Sequence, residues 1–156
     1  MYFKMTKLYI LGAVSLLLLS CKTDNDNEDN AASIVANWKF SKAEVVSGSD
    51  NTTVLYSQTL TGCDANTTFE FKSDGKYAIR YFLKQNNQCQ FDYEDAGIYN
   101  YDQTAQTIAT KRSNSSHTEI YKVERLNNDE LVLSLYDDYD QNNDGIEDKN
   151  VYYLNK

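Results

Sequence analysis

The chain has no proline, one histidine, one tryptophan, two methionines and only six glycines among its 156 residues. Lack of proline and a low glycine content exclude collagen-like and proline-rich material. Basic residues are sparse, 15 Lys and Arg against 23 Asp and Glu for a formal net charge of −8, and their longest run is Lys111-Arg112. Without a basic stripe to displace counterions from a polyanion, nucleic acid is excluded as a partner. One histidine and three scattered cysteines do not cluster as metal ligands. Gly-x-Ser-x-Gly elbows, glycine-rich phosphate loops and a Pro-Cys-x-x-Cys deaminase signature are also absent. His117 and Glu119 would share one face of a strand but lack an activating partner, and His117 is read as a surface residue. The adjacent carboxylates Glu94-Asp95 and Asp129-Glu130 would point to opposite strand faces. No enzyme is expected.

Long apolar runs are equally scarce. The one that exists, Leu8 to Leu19, follows Lys4 and Lys7 and is too short to span a bilayer comfortably. A basic start, an apolar stretch of this length and a small residue before a cut site make a secretory signal peptide, here residues 1–20. Leu18-Leu19-Ser20-Cys21 also resembles the lipobox of bacterial lipoproteins. That resemblance implies that the Cys21 thiol is diacylglycerated, that cleavage precedes it and that the new amino terminus is acylated, making Cys21 the membrane anchor. Two or three acyl chains on one cysteine hold a protein on a membrane, since each buried CH₂ contributes about 0.8 kcal/mol. Residues 21–32 carry Asp24, Asp26, Glu28 and Asp29 with no large apolar group, the composition of a solvated tether. The expected location is the bacterial cell envelope, at the outer membrane. An acidic run after the lipidated cysteine resembles the surface-export signal of some Gram-negative lipoproteins, so both the surface and the periplasmic face stay open.

What the sequence has in quantity is aromatic: 13 Tyr and 6 Phe, residues that favour strands. From Ile34 on, apolar residues recur at period two in short runs bounded by Gly, Asn, Asp and Ser, which predicts half-buried strands. Phe69 and Phe71 alternate with Thr68, Glu70 and Lys72; Ser73-Asp74-Gly75-Lys76 supplies a hairpin turn; Tyr77, Ile79 and Tyr81 continue on one face. Strands are predicted near Asn37 to Val46, Val54 to Leu60, Gly97 to Tyr101, Gln106 to Lys111, Thr118 to Leu126, Leu131 to Tyr136 and Asn150 to Leu154. Long loops are predicted at Lys84 to Asp95, Lys111 to His117 and Asp137 to Lys149. Residues 33–156 are therefore expected to form one all-β domain, an antiparallel up-and-down barrel of about eight strands or a β-sandwich. Parallel pairing is excluded by the lack of crossover helices.

Val35-Ala36-Asn37-Trp38-Lys39-Phe40, the segment Cys63-Asp64-Ala65-Asn66-Thr67-Thr68-Phe69-Glu70-Phe71-Lys72-Ser73-Asp74-Gly75-Lys76-Tyr77, Cys89, Gly97-Ile98-Tyr99 and Leu126 to Leu133 together resemble the bacterial lipocalin-like lipoprotein domain family. Ala36 stands where lipocalin-type domains usually carry a glycine two residues before the tryptophan. The resemblance implies a small lipid-anchored lipocalin-like β-barrel. On that reading Phe69, Phe71, Tyr77, Tyr81, Tyr99 and Tyr101 are the candidate lining of a site for a small apolar ligand. A small barrel also packs its own interior with such rings, so an empty bore and a filled one are both compatible with the pattern. The other functional class is an interaction protein, contacting an envelope partner through exposed tyrosines or an acidic loop.

With Cys21 assigned to lipid, Cys63 and Cys89 are an even pair in an exported chain and are read as a disulfide. No cofactor is required by any of these features, and the one candidate is calcium. In the run from Asp137 to Asp148, Asp140, Asn142, Asp144, the Ile146 carbonyl and Asp148 take calcium-loop positions one, three, five, seven and nine, with Gly145 at the sharp turn. This spacing is similar to the Asp-x-Asn-x-Asp-Gly loops of dockerin-like and thrombospondin-type repeats. Position twelve is Val151 rather than glutamate, so an EF-hand is excluded, while a short calcium loop and a solvated Asp/Asn loop both remain.

Overall fold

The alternation of large and small, apolar and polar residues is realised as nine strands. A computed structural model of the chain describes residues 32–136 and 138–156. The expected signal peptide 1–20, the anchor Cys21 and all of the acidic tether except Ala32 lie outside the described residues, as does Asp137. In chain order the strands are β1 (Ala36–Val46), β2 (Val54–Thr59), β3 (Thr68–Phe71), β4 (Lys76–Gln85), β5 (Gln88–Asp102), β6 (Thr107–Arg112), β7 (Thr118–Leu126), β8 (Glu130–Tyr136) and β9 (Lys149–Asn155). A single 3₁₀ turn, Asp64–Asn66, precedes β3, and no α-helix occurs among the described residues.

β3 through β9 pair antiparallel with their neighbours in sequence, and β9 returns to pair with β1. Because β1 also pairs with β3, placing Trp38 opposite Phe69, the sheet closes into an eight-stranded barrel and not a sandwich. β2 is the extra strand, lying against the second half of β1 from Lys42 to Val46. The first half of that same edge is taken by β3, from Ala36 to Lys39.

Strand direction sorts the connections to two ends. At one end lie the β3–β4, β5–β6 and β7–β8 turns, all short. The first is the predicted hairpin: Gly75 sits at φ 79°, a conformation open to glycine, and Lys72 N–H reaches the Lys76 carbonyl at 2.9 Å. Asn127 closes the third, its side-chain oxygen accepting the N–H groups of Asp129 and Glu130 at 2.9 and 2.8 Å. The bore near these turns is filled. Trp38, Phe71, Ile108, Leu131 and Leu154 are buried to 1% exposure or less, and each fully buried large side chain contributes about 1.5–3 kcal/mol. The Trp38 indole N–H donates to the Ile34 carbonyl at 2.8 Å, so the segment before β1 is drawn across this end. Phe71 stacks on Phe69 with ring centres 4.2 Å apart and meets Tyr99 edge-on at 4.9 Å.

The opposite end carries the β1–β2 turn, the 3₁₀ turn, the β4–β5 hairpin and the β6–β7 and β8–β9 loops. One expectation is corrected here. Residues Lys84 to Asp95 are not a loop: β4 and β5 run on as a two-stranded ribbon with Gln85 opposite Gln88. Its two turn residues, Asn86 and Asn87, have φ of 50° and 60°, as a two-residue hairpin turn demands. The ribbon has no buried face, and Phe91 and Tyr93 are each more than half exposed. Alternation here is therefore carried by Gln, Asn and Asp as much as by apolar residues, which is why it reads as loop.

Cys63 and Cys89 form the expected disulfide, with an S–S distance of 2.01 Å. It joins the segment before the 3₁₀ turn to the ribbon across a sequence separation of 26. Replacing both cysteines by alanine is expected to lower the unfolding free energy by about 3 to 4 kcal/mol, measured by urea denaturation. An undiminished free energy would show that the link constrains neither state.

Candidate functional site

Above Phe69 the barrel opens into a cavity of about 460 Å³, within the range of small-molecule sites. Its floor and walls are residues of six strands: Phe40 and Ala43 of β1, Phe69 of β3, Ile79 of β4, Tyr121 of β7, Leu133 of β8 and Tyr152 of β9. Toward the mouth it is bounded by Tyr81 and Phe82 at the base of the ribbon and by Tyr93 across from them. Gln58 and Leu60, at and just beyond the end of β2, Asp64 and Thr67 of the disulfide-linked segment, and Asp92 of the ribbon complete the lining.

Two irregularities aim these side chains. In β1, Phe40 opposes Leu154 and Lys42 opposes Tyr153, leaving Ser41 as an extra residue. The inward phase thus passes from Phe40 to Ala43, a shift that a bulge produces and strict period two does not. In β5, Arg80 opposes Glu94 and Phe82 opposes Phe91, so two residues, Asp92 and Tyr93, face Tyr81 alone. Tyr81 and Tyr93 stack there with ring centres 4.3 Å apart.

Of the six predicted lining residues, Phe69 and Tyr81 border the cavity. Phe71 and Tyr77 are buried in the filled half of the bore. Tyr99 packs against that half and donates its hydroxyl to the Lys72 carbonyl at 2.8 Å, while Tyr101 borders a separate depression with Val123 and Leu126. Sequence reasoning missed Phe40, Phe82, Tyr121 and Tyr152. For Phe82 and Tyr121 the signal is strand polarity, since each lies in the half of its strand nearer the long loops, whereas Phe40 and Tyr152 sit near mid-strand.

A polar chain runs beside the mouth. Arg112 Nε contacts Asp95 Oδ2 at 2.7 Å and its Nη2 lies 3.8 Å from Glu119. Tyr121 donates its hydroxyl to Glu119 Oε2 at 2.8 Å. Burial first, and then this bond to a carboxylate, push the Tyr121 phenol well above the ordinary tyrosine range. Burial, followed by the neighbouring Tyr93 and Asp95, does the same to Tyr81. His117 is exposed and shares a shallow surface pocket with Arg112, Ser115 and Glu119.

The acidic loop after β8 sits apart from the cavity, against the β1–β2 turn. Asp140 accepts the N–H groups of Asp144 and Gly145 at 3.2 and 2.7 Å, and Asn142 accepts that of Asp144 at 2.9 Å. Asp144 accepts the Ile146 N–H at 2.9 Å, and this bond leads the causes that hold its carboxyl below the usual range. Asp148 is 2% exposed and bonds Gly48 N–H at 3.1 Å and Gln141 N–H at 2.7 Å. A side chain at Gly48 would collide with the Glu147 carbonyl, its Cβ lying 2.0 Å away. Asp140, Asp144 and Asp148 are thus engaged by backbone amides, and among the described residues no group of three or more His, Cys, Asp or Glu is placed to hold a metal ion. Across that turn Asp50, hydrogen-bonded by the Thr53 hydroxyl and the Thr52 and Thr53 amides, titrates at about 2.

The chain belongs to the lipocalin-like domain family, whose model matches residues 34–133. No curated protein sequence matches it. Two solved structures are similar in outline. A deswapped triple mutant of bovine odorant binding protein is 11% identical, with 78% of this chain and 72% of that one covered at a TM-score of 0.38. Aphrodisin, a sex pheromone from female hamster, is 13% identical, with 80% and 75% covered at a TM-score of 0.39.

The phenols of Tyr81 and Tyr121 keep their protons in the folded state at a pH where an unfolded tyrosine, with its pKa of 10.0, has lost them. The unfolded state then binds fewer protons, so stability falls as pH rises above about 10. Tyrosinate absorbance is expected to show these two phenols ionising only as the barrel unfolds. Uniform titration of every tyrosine near pH 10 in the folded protein would contradict it.

Proposed function

We propose that this protein is a lipid-anchored lipoprotein of the bacterial outer membrane, not an enzyme, whose lipocalin-like barrel takes up a small apolar molecule. The observation that carries the binding part is the aromatic cavity of about 460 Å³, open at one end while the other end is packed shut. Its wall offers rings and aliphatic side chains at depth and polar groups at the lip, the distribution that buries the body of a ligand and orients its end. The anchor rests on the basic, apolar and Leu18-Leu19-Ser20-Cys21 pattern, and the envelope location follows from it.

Binding is tested with the neutral fluorescent probe N-phenyl-1-naphthylamine. Saturable binding is expected, and Ala43→Trp, which sets a large ring into the bore, should weaken it at least about tenfold while the melting temperature is held. Absence of saturable binding, or binding indifferent to Ala43→Trp, would overturn the assignment of this cavity. For the anchor, Cys21→Ala is expected to move the protein from the membrane pellet to the soluble fraction of lysed cells. Continued sedimentation with membranes would exclude lipidation as the attachment.

A further inference from the structure

The cavity wall is uneven in charge. Among the described residues that line it there are two carboxylates, Asp64 and Asp92, and no Lys, Arg or His. Three acids of the neighbouring strands β5 and β7 have a cation. Glu94 contacts Arg80 at 2.8 Å, Asp95 contacts Arg112 at 2.7 Å, and Glu119 shares Arg112 at 3.8 Å. Asp64 and Asp92 take part in no ion pair among the described residues. The disulfide keeps both on the same rim, since Asp64 follows Cys63 directly and Asp92 lies three residues beyond Cys89.

The groups beneath this rim accept and do not repel a cation. Tyr121 has committed its only hydroxyl hydrogen to Glu119, so toward the cavity its oxygen is an acceptor. The stacked Tyr81 and Tyr93, and Phe82, also line the cavity, and an ammonium group is attracted to an aromatic ring that it meets face-on. An anionic head group would instead meet two carboxylates and no cation in the cavity lining, Arg112 beside the mouth being taken up by Asp95 and Glu119. A neutral hydroxyl head group can donate a hydrogen bond to one carboxylate but brings no opposite charge to either.

We propose that the ligand of this cavity is an apolar amine, its hydrocarbon or aromatic body in the bore and its protonated nitrogen at the rim between Asp64 and Asp92. This rests on the ligand-binding reading above and adds the chemical class. Both aspartates are exposed, so the amine keeps part of its hydration and the attraction is screened by salt.

The test compares decylammonium, decanol and decanoate, three probes of equal chain length and different head-group charge, as competitors of N-phenyl-1-naphthylamine at pH 7 and low salt. Decylammonium is expected to bind about tenfold tighter than decanol, with decanoate weakest, and the advantage should shrink in about 0.5 M NaCl. In the Asp64→Asn/Asp92→Asn double variant the ratio of decylammonium to decanol affinity should fall to about one. Decanol or decanoate matching decylammonium in the wild type would overturn the amine and leave the apolar-ligand reading standing. A ratio that survives the double variant would overturn the role of the two aspartates, and no competition by any of the three would overturn both readings.

Discussion

The structure depends on β1 being hydrogen-bonded along both edges. One edge is taken by β9 from Lys39 to Val46, the other by β3 and then β2. Without the β9 ladder the same strands would form an open sheet with one mainly apolar face and two long unpaired edges, the condition that natural β-proteins avoid. With it, Trp38, Phe69 and Leu154 face a closed bore, and the backbone of the barrel is paired around its circumference. Ser41 makes this double duty workable. As the extra residue of a bulge it bends β1, so that one strand lines the packed half with Trp38 and the hollow half with Ala43.

Stability and capacity are separated along the bore. The end with short turns is where Phe71, Tyr77, Ile108 and Leu131 interlock, and burial there is nearly complete. The end with longer connections keeps Phe40, Tyr81 and Tyr152 only partly covered. A filled barrel and a lined cavity, opposed as alternatives by the sequence, are thus each true of one half. The filled half holds the barrel at a fixed width, and that fixed width is what leaves the upper rings unable to collapse onto each other.

Much of this was legible in the chain. Period-two alternation around Phe69, Tyr77 and Leu131 located those strands, and Asp74-Gly75 marked the hairpin between the first two, because there one face is buried and the other wet. The even pair Cys63 and Cys89 indicated the cross-link. The ribbon from Lys84 to Asp95 was not legible, since neither of its faces is buried and burial is what writes alternation into a sequence. The cavity was only partly legible. Composition places tyrosines on the inner face but does not say how far along the bore each one sits, so Phe71, Tyr99 and Tyr101 looked equivalent to Phe69 and Tyr81. Bulges conceal the remainder: Ala43 reads as outward from Phe40 by strict alternation, and Tyr93 appears as one of several polar-ribbon residues.

The wall of the barrel has one seam. β3 is four residues long and leaves β1 at Lys39, β2 takes over only from Lys42, and no ladder joins β2 to the upper part of β4. Around the rest of the circumference, changing the width means breaking rows of inter-strand hydrogen bonds at once. Along this line the wall is made of residues 60–67 and is secured to the ribbon by a covalent bond at Cys63. The backbone of that segment is held to β1 only at its two ends, Leu60 N–H on the Ser41 carbonyl and the Thr67 carbonyl on Phe40 N–H, with no ladder between them. The girth of the cavity is therefore set by strand count on seven sides and by the length of a single tethered segment on the eighth, so insertions or deletions between β2 and β3 would resize the pocket without re-registering the barrel.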